Sequence, residues 1–351
     1  MNYPDWEEIK QSLFIAQRNF PMIRSDEPTF MGMPLAESET ELVGADVVII
    51  GSPYVTGLTD EYAGVPKQEW LAAPKRIRQQ SIRYASGYIQ DFDLNVFEHL
   101  RLVDYGDADI PPESNLEQTP GNILKAQAAV EEKVNHALNA GAIPIVIGQN
   151  SPCGSYAIAK PIAERTQGNV GVISLDTHWD IESIDSVTMD PRIAGGSSWK
   201  YKMYEFQKNI QPKHLVEIGE RGMHENQEMV RKFLSEGAHF YPMWKIRKEL
   251  GIEGLCKALE DAYHGTAARY VHFDMDIIGG EGPGPAYILG ELAEPMGMSD
   301  YEVIRLAYEI GLRGLDGMSF ICIPPGSAVV YRLIVYIIMY LMAGLIEGGQ
   351  R

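Results

Sequence analysis

The stretch VGVISLDTHWDIES, residues 170–183, decides the fold. Val170–Leu175 are apolar or small, with valine or isoleucine at 170, 172 and 173, and read as a strand buried on both faces. The segment then delivers Asp176, His178 and Asp180, spaced two apart, so an extended chain turns all three to one side. A doubly buried strand belongs to a parallel sheet covered by helices, where ligands bind beyond the carboxyl ends of the strands.

On either side of this stretch, strands are predicted in Asp46–Pro53, Arg101–Asp107, Ile143–Asn150, Leu215–Gly222, Arg269–Asp276 and Met318–Pro325. Amphipathic patterns between them, at Asn122–Asn139, Met243–Tyr263 and Asp300–Leu312, predict helices. The alternation predicts an α/β protein, a three-layer αβα sandwich on a mainly parallel sheet. No Ser/Gly-rich linker divides it, so an N-terminal arm over 1–40 and one domain over 41–351 are expected. Polar residues gather at the predicted carboxyl edge: Asn150, Asp176 to Asp180, Glu220, Arg221, Asp274 and Asp276.

Composition narrows the function classes. Among 351 residues, 45% are hydrophobic and 22% charged, as in a soluble globular protein. The net charge of −18 argues against nucleic acid or an anionic membrane as partner, and suits a cationic small molecule or solubility alone. Cys153, Cys256 and Cys322 lie far apart with no CxxC, which fits a reducing cytoplasm. The acidic start MNYPDWEEIK is not that of a signal peptide, and the apolar run Leu333–Ile346 is shorter than a membrane span and reads as a buried helix.

Asp176, Asp180, Asp274 and Asp276 at one sheet edge would repel one another and resist ionisation unless a cation lay among them. Carboxylates with one imidazole, His178, suit Mn²⁺, Ni²⁺, Fe²⁺ or Zn²⁺. The bland alternative, two unrelated loops of solvated aspartates, leaves both DxHxD and DxD at strand ends without a reason.

LDTHWD (Leu175–Asp180) resembles the DAHxD motif of the ureohydrolase family of arginases and agmatinases, and FDMD (Phe273–Asp276) resembles its SxDxD motif. GSPYVTGLTDEYAGV, APKRIR, VDYGD, PIVIG, EIGERG, GMSDYE and the last PP-containing strand follow in family order, so the resemblance spans most of the chain. It implies an arginase-like fold and a binuclear Mn²⁺ or Ni²⁺ site that activates a hydroxide toward a guanidinium carbon. By position, Asp176 and Asp274 match the bridging ligands, His178 and Asp276 the rest of one metal site, and Asp180 a ligand of the other. Glu302, in GMSDYE, matches an acidic residue that holds the guanidinium.

Three departures weaken that implication. The family's GGDHS loop reads GQNSP here, with Ser151 in place of a histidine ligand. AGGSSWKY aligns Gly195 with a histidine that handles protons, and IIGGEGPGPAYILGE puts Gly279 where a carboxylate is expected. Among compensating candidates, His272 is expected to be a core residue beyond easy reach of the metal, one two-residue step of about 6.6–6.8 Å below Asp274. His224 is expected in a surface loop, and Cys153, although near a helix start that would favour a thiolate, as a small buried residue.

Ureohydrolases form trimers and hexamers, and chemistry lost at two separate loops while the scaffold motifs stay readable is what an auxiliary, catalytically impaired subunit of such an assembly predicts. Its partner would be a catalytically complete family member acting on guanidines or biguanides. A self-sufficient metal hydrolase with a degenerate site and a non-catalytic binder of a cationic guanidino compound are the alternatives.

Overall fold

The computed structural model describes Glu7 and residues 19–56, 61–62, 65–182, 193, 195–221, 225–279 and 294–349. Eight strands form one parallel sheet: β1 (Val47–Gly51), β2 (Leu102–Asp107), β3 (Ile143–Ile147), β4 (Val170–Leu175), β5 (Ile210–Ile218), β6 (His239–Tyr241), β7 (Ala268–Asp274) and β8 (Gly317–Ile321). Their spatial order is β6-β5-β4-β7-β8-β3-β1-β2. The chain steps from β3 across a gap to β4, runs out to β6, and returns to fill the gap with β7 and β8. That return sets the two aspartate-bearing strand ends, β4 and β7, side by side.

The central strands are buried along their whole length, as near-continuous Val, Ile and Leu require of a sheet covered on both faces. One covering layer holds α1 (Ala73–Ser81), α6 (Gly251–Ala258), α7 (Asp300–Arg313) and α8 (Ala328–Glu347). The other holds α2 (Pro120–Asn139), α3 (Tyr156–Arg165), α4 (Trp199–Phe206) and α5 (Gln227–Ser235). The expected αβα sandwich is what forms.

One local expectation needs correction, and one strand was not expected. The pattern over Met243–Tyr263 is not one helix: Gly251, at φ +61°, ends a π-helical stretch at Ile246–Leu250 before α6 begins. The half-buried edge strand β6 carries too few apolar residues to stand out from its surroundings.

The apolar run near the C-terminus lies within α8, whose 20 residues are long and apolar enough to cross a membrane by length and composition. In the fold, 72% of its most apolar window is buried. It packs on α7 at backbone distance, since a Cβ on Gly311 would lie 2.2 Å from the Leu341 carbonyl and one on Gly344 2.2 Å from that of Tyr308.

Of the arm expected over 1–40, residues 1–6 and 8–18 lie outside the described residues. From residue 19 the chain is part of the fold. Glu27, fully buried, joins Asp104 and Asp107 of β2 around the fully buried guanidinium of Arg78, at N–O distances of 2.6–2.9 Å. A planar guanidinium with five donors can satisfy all three carboxylates.

Candidate metal centre

The sheet register builds the site. Ser174 on β4 is level with Glu217 on β5 and with His272 on β7, and His272 is level with Ser319 on β8. Neighbours at one level of a parallel sheet share a face, so these residues form a polar row across it, each fully buried. Just past this row Asp176, Asp274 and Asp276 end β4 and β7, also buried. Gly219 ends β5 at φ +104°, where a Cβ would strike Ile277 at 1.8 Å, and the turn it allows brings Glu220 to the same edge.

Two groups of potential ligands share Asp176: Asp176, His178 and Asp276, and Asp176, His272 and Asp274, with ligand atoms in each within 4.8 Å of one another. His178 Nδ1 stands 3.1 Å from Asp276 Oδ2, and the His178 backbone N–H donates to Asp176 Oδ1 at 2.7 Å. On the other side, His272 Nε2 is 3.6 Å from Asp176 Oδ2. His272 is thus a core histidine, as expected, but it is not beyond reach. The step along its own strand is bridged by the imidazole leaning across to β4, a direction that counting along one strand omits.

Other expected residues lie elsewhere. Asp180, at φ +50°, belongs to neither group; its Oδ2 accepts from the indole Nε1–H of Trp199 at 2.9 Å. Glu302 caps α7, where Oε2 accepts from the backbone and hydroxyl of Ser299 at 2.9 Å each, and its Oε1 accepts from Arg247 Nη1 at 2.6 Å. Gly195 donates its N–H to Ser198 Oγ at 3.0 Å and contributes no side chain. Cys153 is fully buried, and burial pushes its thiol well up, away from the thiolate. His224 lies outside the described residues.

The altered GQNSP loop is a structural clamp. Gln149 donates to the carbonyls of Trp70 at 2.8 Å and Ile323 at 3.1 Å, while its Oε1 accepts from the Ile323 N–H at 2.8 Å. Asn150 Oδ1 accepts from the Thr56 N–H at 3.0 Å. Ser151 is buried, and among the described residues its Oγ has no hydrogen-bond partner.

Lys200, on the first turn of α4, was not singled out by the sequence reading. Its side chain is fully buried and its Nζ donates to Glu217 Oε1 at 2.7 Å, Asp176 Oδ2 at 3.3 Å and the His178 carbonyl at 3.1 Å. Two signals could have found it. Lys200 shares a helix face with Met203 and Tyr204, and Glu217 interrupts the apolar end of β5, Leu215–Ile218, where a buried carboxylate needs a partner.

The electrostatics follow from burial. Burial opposes the charge on Asp176, but Lys200, His272 and His178 outweigh it and hold the carboxyl well below its ordinary value. Burial likewise opposes a charge on His178, yet Asp276, Asp176 and Asp180 push the imidazole up to about 10. Asp274 is held well above the usual carboxylate range by burial and by the charges of Asp276 and Asp176. Burial raises Glu217 to about 7 against the pull of Lys200, and burial with Glu217 raises Glu220 well above its ordinary value.

A divalent ion fits one side of this arrangement. Asp176, His178 and Asp276 offer carboxylate oxygens and an imidazole within 4.8 Å of one another, a donor set that suits one divalent ion, and Asp274 stands two residues before Asp276. On the Oδ2 side of Asp176 the fit is poor: His272 brings an imidazole within 3.6 Å, but Ser151 offers none, Asp180 is turned to Trp199, and an ion would have to share Asp176 Oδ2 with the Lys200 ammonium.

Comparison with known proteins agrees with the fold and the motifs. The sequence pattern of the Arginase family matches residues 45–339. Formimidoylglutamase of Halobacterium salinarum is 23% identical over 239 residues, covering 68% of each chain. Among solved structures, formimidoylglutamase of Bacillus subtilis superposes with a TM-score of 0.74 at 19% identity, over 97% of this chain and 98% of that one. A hypothetical agmatinase from Burkholderia thailandensis gives 0.72 at 19% identity, over 92% of both. Formiminoglutamase of Trypanosoma cruzi, solved with Mn²⁺, gives 0.69 at 23% identity over 91% of this chain and 99% of that one. With its family pattern covering the sheet, both aspartate motifs and most of α8, the chain belongs to the arginase family.

Proposed function

We propose that this chain is the auxiliary, catalytically impaired subunit of a heteromeric hydrolase of the arginase family. A catalytically complete family subunit would cleave the C–N bond of a guanidine or biguanide. Metformin, split to dimethylamine and guanylurea, is the first substrate to try, on the strength of the sequence resemblance. The relatives described as formimidoylglutamase and agmatinase support a hydrolase of this general class.

One observation carries the reading: the scaffold persists while the loops that would perform the chemistry have become structural. GQNSP is fastened to the segment after β8 by Gln149 and has no imidazole to offer, and Gly195 has no group to move a proton. Loss of a proton-transfer group alone costs roughly 10²–10⁴-fold in rate. Glu302 would have to release Arg247 before holding a substrate guanidinium.

A bound Mn²⁺ or Ni²⁺ would lower the pKa of a water and polarise the substrate. In this chain Asp176, His178 and Asp276 would hold one such ion, joined by Asp274 if the match to the family's bridging ligand holds. That set favours a second reading, a self-sufficient hydrolase with one ion. Co-expression with a family member carrying intact GGDHS and HGT loops separates the two. The auxiliary reading expects co-purification and turnover only in the assembly, whereas turnover by the lone, metal-loaded chain supports the second.

A further inference from the structure

We propose that the Lys200 ammonium stands in for one divalent cation at this centre, leaving room for a single ion beside His178 and Asp276. The inference rests on the geometry of the cluster and holds whether the chain acts alone or in a heteromer.

The described part of the cluster gathers the buried Asp176, Asp274, Asp276, Glu217 and Glu220 and the half-buried Asp180, drawn from three neighbouring strand ends. Such a gathering requires positive charge within it. His178 supplies an imidazole on the Oδ1 side of Asp176, facing Asp276. On the Oδ2 side stands Lys200, with no surface exposed. An ammonium has three protons, and all three are spent, on Glu217, Asp176 and the carbonyl of His178. These partners lie on two strand ends and the loop that follows one of them, so Lys200 ties together what an ion would otherwise tie.

The residue before it completes the substitution. Trp199 donates its indole N–H to Asp180, and its ring packs 4.5 Å from that of His272. The start of α4 therefore engages Asp176, Asp180 and His272 together. Unlike a bound ion, this cation is covalently tethered and cannot be removed by a chelator.

The test uses the full chain, Lys200→Ala and Lys200→Met, each stripped with EDTA, dialysed against excess Mn²⁺ and analysed for metal by mass spectrometry alongside thermal unfolding. The wild-type chain is expected to hold no more than one Mn²⁺. Both variants should melt well below it when metal-free, take up one more Mn²⁺ per chain than it does, and recover most of the lost melting temperature. Asp276→Asn should empty the remaining position in the wild-type background while leaving one ion in the Lys200→Ala background. Two tightly held Mn²⁺ in the wild-type chain would overturn the proposal even if neither variant folds. So would a folded Lys200 variant with unchanged stoichiometry and no recovery by Mn²⁺.

Discussion

Metal binding at His178 should be strongly linked to protons. In the metal-free chain burial opposes the charge on the ring, but Asp276 at 3.1 Å, with Asp176 and Asp180, raises the imidazole to about 10. An ion coordinates only the neutral ring, so at pH 7 the proton must first be removed across about three pH units, which costs about 4 kcal/mol, or about 10³-fold in affinity. Because the shift is upward, the proton is held throughout the neutral range. Mn²⁺ affinity should therefore rise at least about tenfold per pH unit between pH 6.5 and 8.5. The same shift makes charged His178 a source of stability for the metal-free fold. That contribution is fully present below the ordinary value of 6.5 and is lost as pH rises through about 10. Titration calorimetry in buffers of different ionisation enthalpy should count at least one proton released per ion, since Asp274 also resists ionisation. His178→Ala should lower that count. Affinity that stays flat over this interval, with no proton released, would refute the electrostatic picture of the site.

Other consequences are simpler to measure. Gln149→Ala removes three buried hydrogen bonds and strands the Ile323 N–H, so urea unfolding should show a loss of about 2–4 kcal/mol. Arg78→Met leaves Glu27, Asp104 and Asp107 without their shared cation and should cost about 3–5 kcal/mol in guanidinium unfolding, where a loss below about 1 kcal/mol would contradict the network. Ser151→His should not raise metal content while Lys200 remains, although crowding the buried loop costs about 1–3 kcal/mol; combined with Lys200→Ala it should add an ion.

Much of this could be read from the residues. The runs Val47–Gly51, Ile143–Ile147 and Val170–Leu175 are strands because continuous Val and Ile suit only a sheet covered twice. The convergence of Asp176 with Asp274 and Asp276 followed from two strand-end motifs and the rule that parallel sheets work at their carboxyl edge. What escaped depends on directions across the sheet rather than along the chain. His272 reaches Asp176 only because β7 lies beside β4 in a register that no spacing encodes. Lys200 sits in a polar-looking stretch, WKYKMYEF, where lysines are ordinarily solvated, and its burial becomes intelligible only once Glu217 is placed beneath it. Asp180 was readable as a ligand by spacing, but a left-handed backbone turns it to Trp199.

We propose that this arginase-family chain keeps the scaffold and has lost the capacity to turn over a substrate alone. The most direct test of this is product formation from metformin and other guanidines. The metal-loaded chain would be assayed alone and in assembly with a complete family subunit. No turnover is expected from the lone chain, and turnover by the assembly should survive Asp276→Asn in this chain. Guanidine or biguanide hydrolysis by the lone chain, abolished by Asp276→Asn, would contradict it.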